Sequence, residues 1–168
     1  LVFLFLTKRP ENIALYAPAS WIKNAPRNVW FGTSISNQQT ANDYIPRLLV
    51  YKPNNLFLSI EPQVEFISYR WGNWYDYKNP DNATIIQENG VTYLVRSQYD
   101  AIGGIKWIIQ GGESGHKKRP FDVQWARDMR ENCKEAGIPY FFKQIDKIQP
   151  VPDDLKIQEF PNFSIQLN

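Results

Sequence analysis

The sequence predicts an α/β fold built on about five mostly parallel strands, and three observations point there. Five short runs are continuously apolar, each stops at glycine, proline or polar residues, and helix-length segments separate several of them. Unbroken apolar runs suit strands covered on both faces, as in a parallel sheet with helices outside. Parallel neighbours also need a crossover of about a dozen residues, and the chain has room for three such segments.

The first run, residues 1–6 (LVFLFL), reads as a core strand that stops at Thr7-Lys8-Arg9-Pro10. It is far too short for a membrane span and lacks the n-region and cleavage site of a signal peptide. The chain begins inside this strand without an initiator methionine, so a missing upstream segment is expected. A helical segment over residues 11–22 follows. The second strand, 28–31, stops at Gly32-Thr33-Ser34-Ile35-Ser36-Asn37, and residues 38–50 supply the next helix. The third strand, 56–60, contains Ser59 and stops at Glu61-Pro62.

Residues 69–100 break this grammar with a stretch rich in aromatics and asparagine. Asn89-Gly90 between two β-prone runs predicts a hairpin with a two-residue turn, inserted into the β/α series. The insertion leaves from the third strand on the ligand side of the sheet. There Trp71, Trp74, Tyr75 and Tyr77 form either a lid or stacking surface, or a cover for a sheet edge or subunit contact.

The fourth strand, 106–110, ends abruptly in Gly111-Gly112-Glu113-Ser114. Apolar positions at Val123, Trp125, Ala126, Met129 and Cys133 then give residues 122–136 the spacing of an amphipathic helix. The fifth strand, 140–142, stops at Lys143-Gln144.

In parallel β/α folds ligands gather beyond the carboxyl ends of the strands. Lys8, Arg9, Ser34, Glu61, Glu113, Ser114, Lys143 and Gln144 all fall there. Gly111 and Gly112 permit a turn open to close approach, and Arg119 adds a cation. The candidate ligand-binding set is therefore Lys8, Glu61, Gly111, Gly112, Glu113, Ser114, Arg119, Lys143 and Gln144, a setting suited to phosphate or carboxylate. Taken singly, each is also an ordinary loop residue; their convergence carries the expectation.

Composition sets broad limits. A net charge of +2 over 168 residues makes no strong case for a nucleic-acid or membrane surface. The expectation is an ordinary soluble, cytoplasmic domain, with nucleic-acid binding left open. One cysteine and one histidine rule out an intrachain disulfide and the usual protein-only zinc or iron–sulfur sites. Cys133 lies on the apolar face of its helix as a structural thiol, and His116 reads as a loop residue.

Several motifs, in this order, resemble one family: FLTKRP at 5–10, NVWFGTS at 28–34, LSIEP at 58–62, WIIQGGESG at 107–115 with Arg119-Pro120, Cys133, and YFFKQ at 140–144. They are similar to the bacteriophage protein family named for gene products thirty-seven and sixty-eight. The resemblance implies one incomplete domain over residues 1–168, a partial (half) TIM-type β/α barrel. Full-length members of that family resemble radical S-adenosylmethionine enzymes with a cysteine-rich loop near the amino terminus. This chain has no such loop, so S-adenosylmethionine and an iron–sulfur cluster are expected only with a missing amino-terminal segment. Ser36 and Tyr44 stand where the family commonly has an acid and an arginine.

The implied function is the carboxyl-terminal part of a radical-SAM-like enzyme, binding an anionic or nucleotide ligand at the strand ends. The alternative is a non-catalytic binding or assembly half-barrel, and a third reading uses Glu61 or Glu113 as a general base without a cluster. An open sheet edge predicts a homo-oligomer or pairing with a missing amino-terminal half.

Overall fold

The computed structural model describes residues 1–49, 51, 55–68, 84–88, 91–95 and 104–163. Its seven strands are β1 (Phe3–Thr7), β2 (Val29–Ser34), β3 (Leu56–Ile60), β4 (Thr84–Glu88), β5 (Val91–Val95), β6 (Ile105–Gln110) and β7 (Tyr140–Phe142). Four α-helices accompany them: α1 (Ile13–Tyr16), α2 (Ala19–Lys23), α3 (Gln38–Leu49) and α4 (Val123–Ala136). Five strands form one sheet in the order β1-β2-β3-β6-β7, every pair parallel. The remaining two, β4 and β5, pair antiparallel from Thr84↔Val95 to Glu88↔Val91, as the hairpin reading expects. The predicted turn residues Asn89 and Gly90, and the aromatics Trp71, Trp74, Tyr75 and Tyr77, lie outside the described residues.

Strand alternation divides the sheet into two apolar faces. Val29, Phe31, Leu56, Leu58, Ile60, Ile105, Ile108, Tyr140 and Phe142 pack with Ala41, Ile45 and Leu48 of α3 and Ala126, Met129 and Cys133 of α4. Trp30, Phe57 and Trp107 form a second cluster on the opposite face, joined by Val2, Ile109, Phe141 and Phe163; among the described residues no helical side chain joins it. Gly32 belongs to that face because a Cβ there would sit 2.5 Å from the Phe57 ring.

Several local expectations are corrected. β2 runs on to Ser34, because Gly32, Thr33 and Ser34 pair with Phe57, Leu58 and Ser59. A parallel ladder accepts polar side chains where both neighbours supply backbone partners. The single helix expected over 11–22 is instead a 3₁₀ turn, α1 and α2, broken at Ala17, which is extended (φ −78°, ψ 150°) ahead of Pro18. A residue before proline is sterically pushed from the helical region.

The first strand is also not a core strand. Phe3, Leu4, Phe5 and Leu6 are 44, 45, 48 and 52 % exposed, because β1 is the sheet's edge. The opposite edge is partly covered by a segment without a strand signature. Residues 157–159 run antiparallel along β7, with Phe142 N–H bonded to Ile157 O (2.9 Å) and Glu159 N–H to Tyr140 O (3.0 Å). Trp107 Nε1 donates to Glu159 O at 3.0 Å, and Phe160 and Phe163 then pack on the Trp107 ring.

Helix α4 has the ends its sequence asks for. Asp122 accepts from Gln124 N–H at 2.8 Å, and Gly137 closes the helix in the left-handed region at φ 65°, donating to the Cys133 and Lys134 carbonyls. These are the acidic N-cap and glycine C-cap that satisfy otherwise orphaned backbone groups.

Candidate functional site

The carboxyl ends of β3, β6 and β7 are laced together through backbone atoms. Gly111 N–H bonds Ile60 O (3.1 Å), Gly111 O accepts from Gln63 N–H (3.0 Å), Lys143 N–H bonds Gln110 O (2.8 Å) and Gly112 N–H bonds Gln144 O (3.0 Å). Gly112 is required by close approach, since a Cβ there would lie 2.0 Å from Ile145 O; one on Gly111 would lie 3.3 Å from Gln144 O, a tight fit that a small shift relieves. Both glycine N–H groups are thus spent on neighbouring strands. Neither glycine N–H is therefore available to hold an anion.

Above this lacing, two charged pairs form. Alternation carries Glu61, after Phe57 and Ser59, and Lys143, after Phe141, to the face away from the helices. There Lys143 Nζ lies 2.9 Å from Glu61 Oε1 and 3.0 Å from Oε2, an ion pair reaching over the end of β6. The lysine side chain is 49 % exposed and the glutamate 21 %. Beneath the pair, buried Ser34 donates its hydroxyl to Glu61 O at 3.2 Å, tying in the end of β2.

The second pair is Glu113 with Arg119. Arg119 donates from Nε to Oε2 (2.8 Å), from Nη2 to Oε1 (2.8 Å), and from its backbone N–H to Oε2 (2.9 Å). This two-pronged clamp, led by the guanidinium hydrogen bonds, holds the Glu113 carboxyl at about 2, well below an ordinary glutamate. It closes the loop between β6 and α4 on itself and occupies Arg119, which the sequence offered as a ligand arm.

Lys8 joins neither pair: it is exposed at the end of β1, two strands from β3, a spacing of roughly 10 Å. Ser114 is exposed in the clamp loop. Gln144 is buried and donates to Gly112 O at 3.4 Å, which makes it part of the lacing.

Two arrangements were not foreseen. Asp146 is buried and accepts from Ile148 N–H (2.8 Å), Gln149 N–H (2.7 Å), Gln149 Nε2 (2.8 Å) and Lys118 Nζ (2.7 Å). These donors, the Gln149 backbone first, push its carboxyl well below the usual range. The contact ties the loop after β7 to the loop after β6. An aspartate two and three residues before the N–H groups it accepts is an Asx-type turn signal, legible at Asp146-Lys147-Ile148-Gln149. Nothing local announces the other arrangement, in which Gln110 Nε2 donates to Gln63 Oε1 at 2.5 Å and Tyr140 OH donates to Gln110 Oε1 and, at 3.3 Å, to Ala126 O.

Cys133 is buried on α4, and burial pushes its thiol up to about 12. Among the described residues no group of three or more His, Cys, Asp or Glu side chains could hold a metal ion. The described residues therefore do not fit an iron–sulfur cluster. A pocket of about 560 Å³, lined by Ser20, Trp21, Asn24, Ala25, Pro26, Arg27 and Asn55, lies at the other end of the sheet, where β2 and β3 begin. The Glu61–Lys143 pair and this pocket are thus at opposite ends of the strands. Strand-end chemistry favours the former as the site.

Among the described residues no helix is long and apolar enough to cross a membrane. No curated protein and no solved structure matches the chain. The family model described as "Protein of unknown function (DUF5131)" matches residues 1–157, so the chain belongs to the DUF5131 family.

Proposed function

We propose that this chain is the carboxyl-terminal part of a phage-related, radical-SAM-like β/α-barrel enzyme, and that it binds an anionic or nucleotide ligand at the carboxyl ends of its strands. The barrel reading is supported by the consecutive order of five parallel strands and, among the described residues, by helices packed on one sheet face. A doubly wound sheet reverses its strand order and carries helices on both faces. S-adenosylmethionine and a cluster belong to this proposal only through an amino-terminal segment supplying the thiolates. A single cysteine agrees with the reducing cytoplasm as its compartment.

The Glu61–Lys143 pair carries the ligand proposal. Both partners stand at strand ends on the face of the Trp30–Phe57–Trp107 cluster, and neither is fully buried. A half-exposed ion pair is worth about 0–1 kcal/mol, so an incoming phosphate or carboxylate can take Lys143 Nζ from Glu61 at little cost. Lys8, exposed at the end of β1, is the second cation such a ligand would reach. A non-catalytic assembly module is the second reading, favoured by the exposed apolar edge of β1.

Calorimetric titration with inorganic phosphate, a nucleoside triphosphate and S-adenosylmethionine tests the site. A charge-assisted contact is worth about 1.5–3 kcal/mol, so Lys143→Ala should weaken binding of at least one probe roughly tenfold or more. Binding that is equally tight in Lys143→Ala and Glu61→Ala, or no binding of any probe at millimolar concentration, would overturn the proposal.

A further inference from the structure

Two loops at the carboxyl ends of β6 and β7 hold more positive charge than the chain as a whole. Residues 113–119 contain three cations and one acid, and residues 143–149 two cations and one acid. The two loops therefore sum to +3 where the chain sums to +2, and everything outside them sums to −1. A modest net charge thus conceals a local basic patch, and the distribution of charge, more than its sum, attracts a partner.

The structure clasps these loops together. Lys118 Nζ lies 2.7 Å from Oδ2 of buried Asp146, and Gly112 N–H bonds Gln144 O at 3.0 Å. The same region spends its acids. Asp146 is taken up by the Ile148, Gln149 and Lys118 donors, and Glu113 by the Arg119 fork. Asp122, which follows, caps α4 through Gln124 N–H. Lys117 and Lys147 are left exposed, each next in sequence to one end of the Lys118–Asp146 clasp, and the Lys143 side chain is 49 % exposed on the same loop as Lys147. Among the described residues neither Lys117 nor Lys147 has an ion-pair or side-chain hydrogen-bond partner. Lys147 also has φ 69°, in the left-handed region that side-chain-bearing residues rarely adopt. Such outliers cluster where a chain meets a ligand.

We propose that this patch binds the sugar–phosphate backbone of a nucleic-acid strand, with Lys117, Lys143 and Lys147 as its phosphate contacts. Lysines meet phosphate as point charges, whereas planar recognition of a carboxylate favours the arginine fork. The fork of Arg119 is already occupied by Glu113. Lys117, Lys143 and Lys147 are all exposed, while the pocket of about 560 Å³ lies at the other end of the strands. An open cluster of charges suits a polymer that lies across it and is bound without regard to sequence. Lys143 must leave Glu61 to reach a phosphate, and there the proposal rests on the strand-end reading; Lys117 and Lys147 belong to it alone.

Fluorescence anisotropy of a labelled oligothymidylate over a salt series tests it. Each phosphate neutralised on a single strand contributes about −0.7 to the slope of log K against log salt, so three contacts give about −2. Lys117→Gln with Lys147→Gln should reduce the slope to about −0.7, with circular dichroism and affinity for inorganic phosphate unchanged. Lys117→Arg with Lys147→Arg keeps the charge and should keep the original slope. A labelled polyglutamate should bind roughly tenfold more weakly than the oligothymidylate at equal salt. Should the glutamine pair not fold, Lys117→Gln alone should remove about 0.7 from the slope. A slope unchanged in the glutamine variants, a slope lost in the arginine variant, or polyglutamate bound as tightly, which would mark a surface for an acidic protein, would each overturn the proposal. Absence of oligothymidylate binding at low salt would overturn it too, and phosphate binding that still depends on Lys143 would then leave the strand-end reading standing.

Discussion

Glu113 shows how one residue can be strongly perturbed without belonging to an open binding surface. Its carboxylate receives three hydrogen bonds from Arg119, and those bonds hold it at about 2. Because the folded value lies below that of an unfolded glutamate, about 4.3, any stability from the clamp is complete above that value. It is lost as the pH falls through the folded value near 2. Solvent screening keeps this contribution small. A carboxyl-detected NMR titration should place the Glu113 midpoint near 2 and, in Arg119→Ala, return it toward the ordinary glutamate range. A midpoint unmoved by that substitution would mean that the clamp does not form in solution.

At the scale of elements, the junction of β6 with β7 shows why a glycine pair reads as a ligand turn and serves as a packing device. Gly112 has to pass Ile145 O so closely that no Cβ fits, 2.0 Å being far inside any real contact. Since the obstacle is backbone and cannot rotate away, Gly112→Ala must separate the loops after β6 and β7. The expected cost is that of overpacking, about 1–3 kcal/mol, read as a lower urea midpoint with an unchanged slope. An equally stable alanine variant would contradict the packing role. The strands themselves were legible within one to three residues, since β3 and β7 match the apolar runs and β6 begins one residue early. The helix over 11–22 was misread because one proline, Pro18, outweighed the periodicity around it.

For the whole molecule, the face of the Trp30–Phe57–Trp107 cluster depends on the last described residues. Phe160 and Phe163 pack against Trp107, with Phe163 also on Trp30, while residues 157–159 pair along β7. Truncating the chain after Lys156 should therefore uncover both the aromatic cluster and the β7 edge. A several-fold rise in binding of a hydrophobic dye is expected, together with concentration-dependent aggregation; a truncated chain with unchanged dye binding would show that this segment does not shield the face in solution.

The parallel β/α class, the order of its strands along the chain and the clustering of charged residues at strand ends were all determined by the sequence alone. They depend on local patterns, namely unbroken apolar runs, glycine and proline stops, and the caps of α4. Which polar groups meet was decided only by tertiary structure. Glu61 and Lys143 are 82 positions apart and touch because β3 and β7 flank β6, whereas Arg119 turns back to a glutamate six positions away. The exposure of β1 likewise depended on its place at the sheet edge. An apolar strand has the same sequence whether it has one neighbour or two, and only the assembled sheet shows which side is left unpaired.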